Sequence, residues 1–127
     1  MADRPARNEF ESQARRELVA IVRRMLEGQL PFMEGAGTVR GLQYTVGGVD
    51  ESDDDFMAFN LIQSETDALP HQAQRHLWAQ SALMELEPSI RHAQEWASGF
   101  APAACRNLLA RFAETSEGTD GDLDRAS

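Results

Sequence analysis

From Arg7 to Glu27 apolar side chains recur at every third or fourth position, at Phe10, Ala14, Leu18, Ile21, Val22, Met25 and Leu26. That is the period of an amphipathic helix. Arg15, Arg16, Arg23 and Arg24 are assigned to its other faces, where Glu11 with Arg15 and Glu9 with Arg16 or Gln13 make weak surface contacts. Gly28 and Pro31 end the pattern, the glycine as a C-cap and the proline because it lacks an amide proton. Pro31 then opens a second helix carrying Phe32, Met33, Val39 and Leu42, against which Gly35, Gly37 and Gly41 weigh.

Two readings compete for residues 42–62. In one, Leu42, Tyr44 and Val46 alternate as a strand that pairs with Met57, Phe59 and Leu61, giving an α+β protein. In the other, Phe56, Phe59 and Ile62 are spaced as one helix face, and Asp53 to Asp55 supply N-cap and first-turn carboxylates. A lone two-stranded hairpin is marginal, so a helix over 54–65 is preferred.

Residues 64–70 form a polar connection in which Asp67 and Pro70 suit the start of a further helix near His71. Leu77 and Trp78 are expected to pack early in that helix, and Ala82, Leu83, Met84 and Leu86 continue its apolar set. Gln80-Ser81 offers a fresh start, and Pro88 either kinks the helix or opens the next. Ile90, Ala93, Trp96 and Ala97 mark another face that stops at Gly99, and Pro102 begins a helix striped by Cys105, Leu108, Leu109 and Phe112. The pattern predicts an all-α single-domain bundle of about five helices over 8–114. A flexible N-terminus over 1–7 and a disordered acidic tail over 115–127 flank it.

Charge changes this picture more than composition does. Residues 31–70 carry eight acidic side chains against Arg40 alone, a net −7 in a chain of −9, with Asp50, Glu51, Asp53, Asp54 and Asp55 almost contiguous. Such a field repels nucleic acid and anionic membrane and attracts basic partners. All twelve basic residues are arginine. Without lysine, Walker phosphate loops, Schiff-base catalysis and Ser-Lys hydrolysis are closed, because arginine stays charged throughout. The single cysteine, Cys105, has no partner for an internal disulfide, and no stretch resembles a signal or membrane-spanning segment, which points to the cytosol.

Each catalytic constellation fails on spacing. An EF-hand begun at Asp53 meets Met57 and Ala58 where an oxygen ligand and a glycine are needed. Gly35 to Gly41 resembles a dinucleotide loop, but Arg40 stands where the third glycine belongs. His71 and His76 are five apart and do not share a helix face, so a small metal-dependent enzyme using Glu65, Asp67, His71 and His76 is the secondary reading. Cys105 lies on an apolar stripe and reads as core. No cofactor or metal is expected.

The stretch Asp55-Phe56-Met57-Ala58-Phe59-Asn60-Leu61-Ile62-Gln63-Ser64-Glu65-Thr66-Asp67-Ala68-Leu69-Pro70, followed by Arg75, Trp78 and Ala104-Cys105-Arg106-Asn107-Leu108, resembles a family of small uncharacterised bacterial proteins that are acidic and helical. The resemblance spans residues 8 to 113 and implies an immunity-protein-like role, with Glu65 and Asp67 as the first residues to test. The combined expectation is a non-enzymatic module that engages a basic protein, a cognate toxin in the most specific form. Asp50, Glu51, Asp53, Asp54, Asp55, Glu65 and Asp67 would steer, and exposed members of Phe56, Met57 and Phe59 would anchor. A structural module that self-associates through an apolar helix face is the further alternative.

Overall fold

The computed structural model describes residues 4–126, with side-chain surroundings for all of these except residue 73 and residues 114–126. The fold is all-α: helices α1 (Glu9–Leu26), α2 (Phe32–Leu42), α3 (Asp54–Glu65), α4 (Gln80–Ala97) and α5 (Ala101–Ala126), with a short 3-10 helix over Gln72–Leu77. No strand occurs among the described residues. The hairpin alternative therefore falls, for Leu42 ends α2 while Met57, Phe59 and Leu61 lie within α3. The expectation of a disordered tail falls on the distal part of α5, where side chains lie outside the described residues.

Helices α1, α2, α3 and α5 form a closed ring in which α1 packs on α5 and α2, and α3 on α2 and α5. The core inside it includes Leu18, Val22, Met33, Val39, Phe56, Phe59, Ile62, Leu108 and Phe112, all fully or almost fully buried. Two of the glycines that weigh against α2 as a helix lie where neighbours pass. A Cβ on Gly35 would come 2.6 Å from the Met25 sulfur, and one on Gly37 would come 3.1 Å from the Gln63 amide. The helix penalty of these glycines is offset by close packing against α1 and α3.

On α1 the apolar stripe is interrupted. Asn8 caps the helix by accepting from the Glu11 amide at 2.9 Å, and Ala14, Leu18, Val22 and Met25 are buried as expected. Phe10 is instead 68% exposed, and Arg15, assigned from sequence to an outer face, is completely buried. The spacing of Glu11, Arg15, Leu18 and Val22 explains this, since steps of four, three and four keep them on one face. Arg15 donates from Nε to the Val46 carbonyl at 2.8 Å and from a terminal nitrogen to the Gly47 carbonyl at 3.0 Å. Its guanidinium carbon lies 5.2 Å from the centre of the Phe112 ring. Arg16 behaves as expected, making surface bonds with Glu9 and Gln13.

Glu11 pairs with Arg4 and Arg7 rather than Arg15. Arg4 forks both terminal nitrogens onto its carboxylate at 2.9 Å, and the Arg7 amide donates at the same distance. The carboxylate crosses Gly47, where φ is +80°, so closely that a Cβ there would collide with it. Glycine is required on both counts.

Helix α4 lies outside the ring and rests chiefly on α2. Ala97 is its one buried residue. Leu77 and Trp78, expected to be internal, are 75% and 39% exposed, and Met84 and Trp96 are 69% and 37% exposed. The helix predicted from His71 is broken: the 3-10 segment ends at Leu77, and α4 starts afresh at Gln80 and runs through Pro88. A 3-10 turn has a different period, so its apolar positions do not continue the α4 stripe.

Replacing Arg15 by Met should strand the Val46 and Gly47 carbonyls and cost about 2–4 kcal/mol of unfolding free energy in urea titration. Arg16→Met, which breaks only exposed contacts, should cost below about 1 kcal/mol. Equal costs would show that the burial of Arg15 contributes nothing.

Candidate functional site

The acidic block surrounds the start of α3, and local chemistry determines which carboxylates face outward. Asp53 is the N-cap, its Oδ1 accepting from the Asp55 and Phe56 amides at 3.0 and 3.3 Å. The same carboxylate takes two bonds from Arg111 of α5, at 2.9 and 2.6 Å. Asp55 accepts from Arg111 at 2.9 Å and from Asn107 at 3.0 Å. Asp53 and Asp55 are thus bound into the α3–α5 contact, with side chains 14% and 17% exposed. Burial pushes the Asp53 carboxyl up, but the Arg111 guanidinium and the Phe56 and Asp55 amides outweigh it and hold it below its ordinary value.

The remaining members point outward. Asp50, Glu51 and Asp54 are exposed. Their turn is shaped by Gln43, whose side-chain amide donates to the Asp50 and Glu51 carbonyls at 3.1 and 3.3 Å. Asp50 additionally accepts from the Ser52 amide at 3.2 Å. Along α3 the exposed positions are Asp54, Met57, Leu61, Ser64 and Glu65. Steps of three and four make these a single helix face. Met57 and Leu61 are 46% and 47% exposed at its centre, between a carboxylate at either end.

Two of the expected anchors require correction. Phe56 and Phe59 are fully buried and belong to the core, because their spacing with Ile62 defines the inner face of α3. Of the three expected anchors only Met57 is exposed, and Leu61, which sequence did not single out as one, is exposed beside it. Glu65 sits at the far end of α3, about 16 Å along the axis from Asp54. Asp67 lies beyond the helix, beside a hollow of about 390 Å³ that it lines with Arg40, Asn60 and Gln63.

The structure does not assemble the metal site. Among the described residues no three His, Cys, Asp or Glu side chains converge to hold an ion. His71 faces Glu34 of α2 at 3.5 Å, while His76 is exposed. Cys105 is fully buried, and desolvation pushes its thiol up to about 12, which removes the thiolate a nucleophile needs. The glycine-rich segment lies inside α2 rather than in a loop. Of the four arginines of α1, Arg15 is buried and Arg16, Arg23 and Arg24 are exposed.

Sequence reasoning did not identify Arg111 or the space beside Trp96. A groove of about 570 Å³ separates the end of α3 from α4, with Glu65 and Trp96 among its walls. A signal for Arg111 was present: it follows Leu108 by three positions and adjoins Phe112, at the edge of the buried α5 stripe.

Arg111→Met should lower stability at neutral pH by about 2 kcal/mol, since it leaves two partly buried carboxylates facing each other. The folded Asp53 carboxyl titrates below its unfolded value, so its contribution is complete above about pH 4 and is lost as pH falls through the folded pKa. The gap between wild type and Arg111→Met should therefore narrow progressively below about pH 4, read as urea midpoints across a pH series.

No protein family, curated protein or solved structure matches the chain.

Proposed function

We propose that this protein is a non-enzymatic binding module that engages a basic protein partner through the outward face of α3. In its most specific form it is an immunity protein that covers a basic bacterial toxin. The observation that carries the reading is the pair Met57 and Leu61, each nearly half exposed, flanked by the exposed carboxylates Asp54 and Glu65, with Asp50 and Glu51 beside the helix start. Apolar side chains of this size at the centre of a helix face supply affinity when a partner desolvates them. Surrounding carboxylates accelerate encounter with a cationic surface and oppose anionic competitors. Asp53 and Asp55 stay out of that role because Arg111 and Asn107 already occupy their oxygens.

Self-association is the second reading, and the exposure of Leu77 and Met84 favours it. It predicts a dimer whose dissociation is sensitive to Leu77→Ser with Met84→Ser in sedimentation, with no heterologous partner.

For the leading reading, the combined change Asp50→Asn, Glu51→Gln and Asp54→Asn should slow association with the isolated partner about tenfold or more at low salt and flatten its salt dependence. Met57→Ala with Leu61→Ala should act mainly on dissociation. An association rate and salt dependence unchanged by the charge variant would remove the proposal.

A further inference from the structure

The groove between the end of α3 and α4 has a volume of about 570 Å³, within the range of built binding clefts, roughly 300–1,000 Å³. Its apolar walls are Leu69, Pro88, Ala93 and Trp96, and its ionisable lining groups are Glu65 and His92. Trp96 is held edge-on against Phe100, ring centres 5.0 Å apart, yet remains 37% exposed toward solvent. An indole braced on one side and open on the other is a preorganised contact surface.

Charge decides among occupants. Among the described residues no arginine lines the groove, Glu65 stands in its wall, and exposed Asp67 lies two residues further on. Glu65 also terminates the outward face of α3, so the surface that begins at Asp54 and passes Met57 and Leu61 continues into the groove. The α3 portion alone is about 16 Å long, or three helical turns. A track of that length, with Met57 and Leu61 at its centre and a carboxylate at either end, suits a helix laid lengthwise, with side chains one turn apart entering in succession.

We infer that the α3–α4 groove seats an amphipathic cationic helix of the partner, an apolar side chain entering against Trp96, Ala93 and Leu69 while an arginine or lysine reaches Glu65. The inference rests on the proposed function and adds where the partner's anchor enters. Ser89, an exposed groove residue on α4, gives a means of blocking entry without touching Asp50, Glu51 or Asp54.

The test uses the full chain with Trp78→Phe, which leaves Trp96 as the sole indole. The probes are a synthetic helical peptide of leucine and lysine and its leucine-glutamate counterpart, each labelled for anisotropy and titrated at physiological ionic strength. The expected result is saturable binding of the lysine peptide with a blue shift of Trp96, weakened about tenfold or more by Ser89→Arg and by Glu65→Arg. The glutamate peptide should not bind. The inference is overturned if Trp96 emission does not respond, if both variants leave the dissociation constant unchanged, or if the glutamate peptide binds equally well. Binding that is lost on neutralising Asp50, Glu51 and Asp54 but indifferent to Ser89→Arg would overturn the groove alone and leave the α3 reading standing.

Discussion

Phe112 of α5 is contacted by two guanidiniums, and most of the architecture follows from how their charge is satisfied. Arg15 and Arg111 each lie 5.2 Å from the centre of its ring. Phe56 of α3 meets the same ring edge-on at 6.3 Å. A buried guanidinium is tolerated only with its hydrogen-bonding capacity engaged. Arg15 therefore holds the Val46 and Gly47 carbonyls against α1, and Arg111 holds the acidic start of α3 against α5. Glu11, tied to Arg4 and Arg7, lies across the same turn at Gly47. Charge pairing and aromatic packing here close the α1–α2–α3–α5 ring.

This arrangement divides the acidic block. A run of five acids over 50–55 reads as one feature in sequence, but folding assigns Asp53 and Asp55 to Arg111 and leaves Asp50, Glu51 and Asp54 facing water. The outward carboxylates then frame Met57 and Leu61, which gives the face both an electrostatic and an apolar component. Helix α4 lies outside the ring, so its inner stripe is only partly covered and a groove opens beside Trp96. The proposed docking track is thus a consequence of four helices closing a core without the fifth.

What could be read from sequence was local. The capping role of the Asp53 region, the shared helix face of Phe56, Phe59 and Ile62, and the breaks at Gly28 and Pro31 depend on neighbours within a few residues, and they appear where the pattern places them, although that face turns to the core and not to a partner. Arg15 and Arg111 were not legible in the same way. Arg15 needs carbonyls 31 and 32 residues away, and Arg111 needs carboxylates 56 and 58 residues away. The exposure of Leu77, Trp78 and Met84 likewise depends on which helices close the ring, which helical periodicity does not encode. Met57 was grouped with Phe56 and Phe59 as a candidate anchor, and only the inside and outside of α3 separate it from those two and bring Leu61 beside it.

The division of the charge block is tested most directly by amide hydrogen exchange across the first turn of α3. Neutralising Asp53 and Asp55 to asparagine should accelerate exchange at the Asp55 and Phe56 amides about tenfold or more, because it removes the charged cap and the Arg111 clamp together. Neutralising Asp50, Glu51 and Asp54 should leave those amides within about twofold of wild type. Equal acceleration by the two sets would contradict the account, since the block would then act as a single structural unit with no half free for a partner.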